Sequence, residues 1–379
     1  MSEQTVVFVT GQARAREAKL AAGLKALGWK IVLITQQPPY GNFAQYFSEI
    51  HSTGSPAKAL NLARHYKPLV CHVFSWIADE FALCLIENRP CKVLFDPYDM
   101  GFGTMKRRED VRRATPWQHF CLEHADGVCC RDLRMNWLIR QGIIPKPKHR
   151  ILYGDYAWNA TSHWQKWSRS RGMSLDEIHV VQAGFFTVEK VSRDAGALHI
   201  AEGFCSQGIH FHVYPHPVQV PSDRAKFEAL FEDYLRLQES CPQFHLHMPV
   251  PADRLVEELA PYHMAINVHQ PFLEEQALQD YDEEDLRRGG STRIMDYIEA
   301  GLPVILHPKE RYLFSMLRRH GLVLEATKGL LGAGRKTLEE FLRDPRLGEN
   351  LRRFQEHHSI ARNIGRLEEF YARVAGDDV

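Results

Sequence analysis

One segment of the chain combines small residues, a cation and a carboxylate at spacings suited to chemistry on a phosphate. Within Gly289–Leu306, a pair of glycines precedes Ser291, a residue type that often begins a helix, and the helical pattern ends at Gly301. The backbone amides of Gly290, Ser291 and Thr292 would lack helical partners. Together with the helix dipole they would attract an anion such as a phosphate.

Two charged side chains continue the same pattern along the predicted helix. Arg293 lies in its first turn, where a guanidinium can add a charge-assisted contact to a phosphate. Asp296 follows three residues later and therefore lies on the same face, one turn along. Its carboxylate could accept hydrogen bonds from two neighbouring ribose hydroxyls. The spacing thus indicates a nucleoside diphosphate site, although a capped helix with an Arg–Asp surface pair explains the same residues.

Candidates for a general base follow predicted strands in the first half of the chain. His72 lies near the end of one strand, and Asp99 lies in the turn after the next. The carboxyl ends of parallel strands are the usual ligand-binding edge of an open sheet. We therefore expect His72 and Asp99 nearest the chemistry, with Asp155 as another candidate. A histidine in an apolar strand is also a common core residue, so that reading stays open.

No spacing in the sequence indicates a metal site. The loop Glu274–Asp285 holds seven acidic residues but lacks the alternating Asp pattern and glycine of a calcium loop. Twenty histidines occur without the His-Glu-x-x-His spacing of zinc enzymes. His210 with His212, and His245 with His247, alternate along strands, which the two faces of a sheet explain without a metal.

Length and charge point to two domains with different partners. The chain has 379 residues, 44% of them hydrophobic, and a formal net charge of zero. Residues 1–175 hold 24 Lys and Arg against 14 Asp and Glu, whereas residues 176–379 hold 23 against 33. This composition excludes a disordered or uniformly basic nucleic-acid-binding chain. Scattered cysteines and the lack of a signal-like or membrane-spanning segment predict a cytoplasmic protein with reduced thiols.

Short apolar runs alternate with helical patterns through both halves, which predicts two doubly wound α/β domains. The predicted strands of the first half are residues 5–10, 30–35, 69–74, 91–96, 127–130 and 151–153. Those of the second half are 178–183, 209–214, 244–246, 264–268, 302–306 and 322–324. We predict an N-terminal Rossmann-like domain over 1–157, a linker over 158–177, a second Rossmann-like domain over 178–358, and a C-terminal helix within 359–379 returning to the first domain.

Several of these segments resemble the family-four-like (glycosyl transferase group 1) enzymes of the GT-B class. Ala300–Val304 is similar to that family's small-Gly-Leu/Lys-Pro-Val ending. Four further similarities follow in the family's order: Lys67–Val73, Glu123–Val128, Gly184 with Glu189–Lys190, and Val250–Val268. The resemblance implies two Rossmann-like domains facing across a cleft, and transfer of a sugar from a nucleotide-diphosphate donor, UDP- or GDP-linked, to an acceptor hydroxyl without a metal or other cofactor.

Carried over by position, the resemblance assigns the donor site. Arg293 takes the place of the cation that binds the diphosphate, and Asp296 that of the acid that binds the ribose. Gly184, Gly290, Ser291 and Thr292 would line the phosphates, with Lys190 as a second diphosphate contact. Two positions depart from the family: Phe185 replaces an arginine, and Arg288 replaces the first acid of a Glu-x7-Glu pair. The stereochemical outcome therefore stays open.

Partners and alternatives complete these expectations. The acceptor is a glycan, a lipid-linked molecule or a protein. The basic segment Lys106–Arg113 could also contact an anionic membrane, while nucleic acid is not expected. Because of the departures at Phe185 and Arg288, a non-catalytic GT-B scaffold or partner subunit remains an alternative, as does a sugar-nucleotide epimerase.

Overall fold

The computed structural model describes residues 4–39, 41–75, 80–98, 109–158, 175–184, 197–217, 220, 223–267 and 287–376. These residues form two compact units. The first contains the described residues up to Trp158, with residues 287–290 and 358–376. The second contains residues 175–267 within the described ranges, and 291–357. Much of the predicted linker lies outside the described residues.

The first unit is built on a sheet of seven strands, all paired in parallel in the order β3-β2-β1-β4-β5-β6-β7. The strands are β1 (Thr5–Gln12), β2 (Lys30–Gln37), β3 (Glu49–Ser52), β4 (Val70–Ser75), β5 (Lys92–Pro97), β6 (Gly127–Cys130) and β7 (Arg150–Leu152). The helices are α1 (Ala15–Ala26), α2 (Pro56–Tyr66), α3 (Glu80–Asn88), α4 (Glu109–His124) and α5 (Arg134–Arg140). A short 3-10 helix, Gly41–Tyr46, precedes β3.

The second unit has six strands, also all parallel, in the order β10-β9-β8-β11-β12-β13. The strands are β8 (His179–Gly184), β9 (His210–Pro215), β10 (Phe244–Leu246), β11 (Met264–Asn267), β12 (Val304–Leu306) and β13 (Val323–Glu325). The helices are α6 (Ala197–Cys205), α7 (Arg224–Leu230), α8 (Glu232–Ser240), α9 (Leu255–Leu259), α10 (Thr292–Glu299), α11 (Arg311–Arg318), α12 (Lys328–Ala333), α13 (Arg335–Leu342) and α14 (Leu347–His357).

Both sheets have apolar side chains on their two faces, as expected of parallel strands covered by helices. In the first unit, Val7 and Val9 face one core and Val6 and Phe8 face the other. The last helix, α15 (Ile360–Ala375), packs in the second of these cores together with α1. Its N-terminus is capped by Ser359, whose hydroxyl accepts a hydrogen bond from the backbone of Arg362.

The predicted α/β class with two doubly wound sheets is confirmed. One strand was not predicted: β3 has only one strongly apolar residue, Ile50, and its strand conformation comes from pairing with β2. Among the described residues, no helix combines the length and apolar character needed to cross a bilayer. All eight cysteines are described, and no disulfide joins any of them.

Candidate donor-binding site

The sheet order of the second unit places two strand ends at a switch point. β8 and β11 are neighbours, but the chain leaves them towards opposite sides of the sheet, to β9 and to β12. In open α/β sheets, ligands bind beyond the carboxyl ends of the strands at such a point. Gly184 ends β8 and Asn267 ends β11. Residues near these two ends therefore form the natural candidate site of this unit.

The Arg293 guanidinium packs directly against Gly184. The backbone of Gly184 has φ +104°, a conformation that side chains rarely adopt. A Cβ at this position would lie 2.6 Å from both Nε and Nη2 of Arg293. The backbone conformation therefore favours a glycine here, and the absence of a Cβ lets the Arg293 guanidinium lie at the end of β8.

A buried hydrogen-bond chain holds Arg293 from the other side. Its Nη1 donates to Oδ1 of Asn267 at 3.2 Å, and Nδ2 of Asn267 donates to Oε2 of Glu310 at 3.3 Å. Asn267 is completely buried, and Glu310, just before α11, is 3% exposed. The other carboxyl oxygen of Glu310, Oε1, has no hydrogen-bond partner among the described residues.

Burial raises the pKa of Glu310 well above its usual value, against the opposing effects of Arg293 and of the hydrogen bond from Asn267. Asn267 and Glu310 thus position the Arg293 guanidinium beside the ends of β8 and β11.

Tyr297 fixes the helix that carries Arg293. Its hydroxyl accepts from the backbone N–H of Ala183 at 2.8 Å and lies 3.2 Å from the Ala183 carbonyl oxygen and 3.3 Å from that of Ile266. Burial raises the pKa of Tyr297 to about 12, so the hydroxyl keeps its proton and can donate to one of these oxygens. Because Ala183 and Ile266 precede the strand ends, α10 is held at β8 and β11 one turn beyond Arg293.

The start of α10 agrees in part with the predicted anion site. Ser291 occupies the N-cap position in an extended conformation, and its side chain makes no capping hydrogen bond. The first amides of the helix are thus not satisfied by that side chain, as an anion site needs. Thr292 and Asp296 are both partly exposed. These positions suit the predicted ligand, although their roles stay predictions.

Gly290 is engaged elsewhere. Its N–H donates to Oδ2 of the buried Asp132 at 2.9 Å, within the first unit. Burial would raise the pKa of Asp132, but Arg134, Arg131 and this hydrogen bond outweigh it and lower the pKa. In this arrangement the Gly290 amide is therefore directed to a carboxylate. Arg288, one of the departures from the family pattern, lies over the Trp137 ring at 5.1 Å.

His72 belongs to a buried network in the first unit. Its Nδ1 is 2.7 Å from the Tyr371 hydroxyl, and its Nε2 is 3.3 Å from Oδ2 of Asp96. Arg16 donates to the same Asp96 oxygen from Nη2 at 2.8 Å and to Asp155 from Nη1 at 2.8 Å. Burial lowers the pKa of His72 against the opposing effect of Asp96.

This network has consequences for the predicted base. The side chain of His72 is fully buried, stacked on Phe74 with ring centroids 4.1 Å apart. A group enclosed in this way can orient Asp96 and Arg16 but does not itself present a nitrogen at the surface of the unit. Asp155 is also drawn into the network through Arg16. The catalytic assignment of His72 is not tested by this geometry and stays a prediction.

The remaining predicted site residues lie outside the described residues. These are Asp99 and Lys190, with the departure at Phe185. The same holds for residues 106–108 of the basic segment, and the side chains of its remaining residues, 109–113, are not described either.

Asn267, Glu310 and Tyr297 were not predicted as site residues. Asn267 is a polar residue at the end of the apolar run Met264–Asn267, which is a weak signal. Glu310 and Tyr297 are ordinary helix-associated residues in the sequence. Only the pairing of β8 with β11 brings them to Arg293. Together, Asn267, Glu310 and Tyr297 hold the Arg293 guanidinium and the start of α10 beside the ends of β8 and β11. A guanidinium next to the first amides of a helix suits a ligand that carries a phosphate.

Solved structures resemble nearly the whole chain at low sequence identity. Sucrose-phosphate synthase from Thermosynechococcus elongatus is 14% identical, with a TM-score of 0.64 over 97% of this chain and 98% of that one. A glycosyltransferase from Rickettsia africae ESF-5 is 10% identical, with a TM-score of 0.62 over 99% and 100%. Trehalose-6-phosphate synthase from Burkholderia multivorans is 11% identical, with a TM-score of 0.60 over 100% of both chains.

These similarities define the class of fold. The sequence matches no protein-family model, and no curated protein has significant similarity to it. The two parallel sheets and the similar structures nevertheless show a GT-B glycosyltransferase fold, as the sequence motifs predicted.

Proposed function

We propose that the protein is a glycosyltransferase that moves a sugar from a nucleotide-diphosphate-sugar donor to an acceptor hydroxyl. The observation that carries the proposal is the packing of Arg293 on Gly184 at the end of β8, beside the start of α10. Transfer requires a leaving diphosphate, whose growing negative charge must be stabilised. A guanidinium next to helix amides at a strand end supplies that stabilisation. The similarity of the fold to that of a glycosyltransferase from Rickettsia africae ESF-5 adds support.

We assign the donor to the second Rossmann-like domain, residues 178–358. Arg293 and the amides at Ser291 and Thr292 bind the diphosphate, and Lys190 adds a second cation. The Asp296 carboxylate accepts hydrogen bonds from the ribose hydroxyls. The nucleotide is UDP or GDP, and the transfer requires no metal. Asn267 and Glu310 hold Arg293 in place and are positioning residues.

We assign the acceptor to the first domain. An inverting reaction needs a base to take the proton from the acceptor hydroxyl as the sugar is transferred. Asp99 and His72 are the candidates. Because His72 is fully buried within a network, it acts through Asp96 and Arg16, whereas Asp99 is the candidate for direct contact.

Calorimetric titration with UDP, GDP, ADP, CDP and TDP tests the donor site. We expect one diphosphate to bind wild type and the Arg293→Ala variant to lose roughly 10- to 150-fold in affinity, which corresponds to about 1.5–3 kcal/mol for a charged hydrogen bond. The matched control is Arg236→Ala, which removes an exposed arginine of the same unit paired with Glu232. Absence of binding at millimolar concentration by wild type would refute the donor site and favour a non-catalytic scaffold.

The matching sugar nucleotide then separates transfer from other chemistry. Release of the nucleoside diphosphate together with a glycosylated acceptor supports transfer. Formation of an isomeric sugar nucleotide without any acceptor identifies an epimerase instead. An unchanged rate after treatment with a chelator supports the proposed metal-independent transfer.

We also propose that Lys106–Arg113 contacts an anionic membrane. The proposal depends on five basic residues against two acidic ones in residues 106–113. Sedimentation with phosphatidylserine vesicles, compared with neutral vesicles, tests it. Replacement of Arg107, Arg108, Arg112 and Arg113 by glutamine should abolish the difference between the two kinds of vesicle, and an unchanged difference would contradict the proposal.

A further inference from the structure

Six histidines gather on one face of the second unit's sheet. His179 begins β8, where it pairs in register with His210 of β9. His212 is in register with His245 of β10. His247 and His263 join this group through hydrogen bonds to His212 and to the backbone of His179. We call the six residues the histidine ladder: His179, His210, His212, His245, His247 and His263.

The ladder is hydrogen-bonded across the strands through ring nitrogens. Nδ1 of His179 lies 2.8 Å from Nε2 of His212, and Nδ1 of His212 lies 2.9 Å from Nε2 of His247. In the same sense, Nδ1 of His210 lies 3.0 Å from Nε2 of His245. These contacts are satisfied equally when each Nε2 carries the proton and in the tautomer in which each Nδ1 carries the proton and each Nε2 accepts it, which is the one that a cation at Nε2 of His179 and His210 would select.

That tautomer leaves Nε2 of His179 and Nε2 of His210 as lone-pair donors, because the proton of each ring is used towards its ladder neighbour. The backbone of His179 is fixed as well, since its N–H donates to Nδ1 of His263 at 3.0 Å.

A carboxylate completes the outer end of the ladder. One ligand atom each from Glu177, His179 and His210 lies within 4.8 Å of the other two. Oε2 of Glu177 is 3.9 Å from Nε2 of His179. The Glu177 side chain is 74% exposed and that of His179 is 26% exposed, so an ion can reach the group from solvent.

We propose that Glu177, His179 and His210 bind a divalent transition-metal ion of the zinc type. Imidazole nitrogens and a carboxylate oxygen are ligands that Zn²⁺ prefers, and three protein ligands leave one position for water. Metal-binding histidines usually donate their second N–H to an outer partner that fixes the ring. His212 and His245 serve as these partners here. This inference does not depend on the proposed glycosyl transfer.

A second group of possible metal ligands among the described residues is less suited to bind a cation. His72, Asp96 and Cys129 also approach one another, but all three are buried. The Asp96 oxygen nearest His72 already accepts two hydrogen bonds from Arg16, at 2.8 and 3.2 Å. A cation there would face the Arg16 guanidinium without access to solvent. The histidine ladder has neither obstacle.

The test titrates the full chain, freed of metal by a chelator, with Zn²⁺ by calorimetry and with Co²⁺ by visible absorption. We expect one Zn²⁺ per chain. His179→Ala and Glu177→Gln should both weaken Zn²⁺ binding. His179→Ala removes a ligand, so its effect should exceed roughly 100-fold, which is the upper end of the loss expected when only an outer partner of a ligand is removed. His245→Phe keeps all three ligands and should weaken binding by roughly 10- to 100-fold. Exposed His199 on α6 provides the matched control, His199→Ala, which should bind as wild type does.

The exposed Glu177→Gln variant guards against misfolding as an explanation, since its side chain takes no part in a core. Three results would overturn the proposal: no Zn²⁺ binding by wild type, equal binding by wild type and the His179→Ala/His210→Ala variant, or a thiolate-to-cobalt absorption band, which would assign the ion to cysteines. Because nucleoside diphosphate binding is measured separately, failure of this site leaves the proposed transfer untouched.

Discussion

The Arg293 guanidinium lies in the space that a Cβ at Gly184 would enter. A Cβ on residue 184 would approach Nε and Nη2 of Arg293 to 2.6 Å, where real Cβ contacts essentially do not occur. The glycine at the end of one strand and the arginine in the first turn of a helix are separated by more than a hundred residues in the chain. The end of β8 and the start of α10 are therefore joined by the direct packing of Arg293 on Gly184.

Replacement of Gly184 by alanine tests this feature. The Cβ should displace the Arg293 guanidinium and weaken nucleoside diphosphate binding by roughly 10- to 150-fold, as for loss of a charged contact. The φ of +104° also strains an alanine by of order 1–3 kcal/mol. Calorimetry and thermal unfolding measure the two effects. Gly208→Ala is the control, since Gly208 has φ +68° and lies away from Arg293. Equal nucleotide affinity in both variants would contradict the prediction.

The predicted ribose contact of Asp296 calls for a substrate-based test. Asp296→Ala should weaken binding of the matching nucleoside diphosphate by roughly 10- to 150-fold, because a carboxylate that accepts from two hydroxyls is removed. The 2′,3′-dideoxy form of the same nucleotide lacks those hydroxyls. It should bind wild type and variant equally. A loss of the same size with both nucleotides would mean that Asp296 acts through the fold of α10 and not through the ribose.

Glu310 should make stability depend on pH in a defined direction. Its folded pKa is raised above the ordinary value of 4.5, mainly by burial. The folded state then binds more protons than the unfolded state between those two pKa values, so stability falls as pH rises through that window. Glu310→Gln, which cannot ionise, should lose this fall. Its stability relative to wild type should increase by up to about 1.4 kcal/mol per pH unit within the window.

Urea unfolding at several pH values above 4.5 measures the difference between Glu310→Gln and wild type. The exposed Glu340→Gln on α13 provides the control and should follow wild type across the series. A constant difference between Glu310→Gln and wild type over this pH range would show that the carboxyl is ionised in the folded protein.

The buried pair of Arg16 and Asp96 should be important for the first unit. Both side chains are 2% exposed, and their nearest atoms are 2.8 Å apart. Asp96→Asn removes one of the two buried carboxylates paired with Arg16, the other being Asp155, and should cost at most about 3–5 kcal/mol of unfolding free energy. Asp344→Asn removes the partner of the exposed Arg346 and should change stability little.

The same variant has a pH signature. Burial would raise the pKa of Asp96, but Arg16 and His72 outweigh it, so the folded pKa is below 3.8. The stability that this carboxylate contributes is therefore present above pH 3.8 and lost as pH falls through the folded pKa. Acid unfolding should show wild type and Asp96→Asn converging only at low pH. Convergence near neutral pH would contradict the ion pair.

Local patterns were enough to determine most of the fold. Runs such as Thr5–Thr10 and Ile178–Ala183 are rich in β-branched residues and short, and helical spacing lies between them, so each strand is specified by its own residues. The strand Glu49–Ser52 is different because its residues have little strand preference. Its backbone becomes a strand by hydrogen bonding to β2, an interaction that no local window contains.

In the candidate donor site, too, some residues could be selected from the sequence and others only from the tertiary structure. Arg293 and Asp296 could be selected from the sequence because a guanidinium and a carboxylate have chemistry that spacing along a helix can organise, whereas Gly184 was selected by the family resemblance. The packing of Arg293 with Asn267 and Glu310 could not be selected, since these residues come from separate segments. Sheet order brings those segments together, and burial then raises the pKa of Glu310.

The histidine ladder gives the clearest case. Along the chain, His210 and His212 show only the alternation of a strand, which indicated no metal. Parallel pairing sets β8, β9 and β10 side by side in register, and only then do ring nitrogens meet across the strands. The sequence by itself determined which residues exist and which segments become strands. The tertiary structure decided which side chains meet, because contact between distant residues depends on strand order and register and not on spacing along the chain.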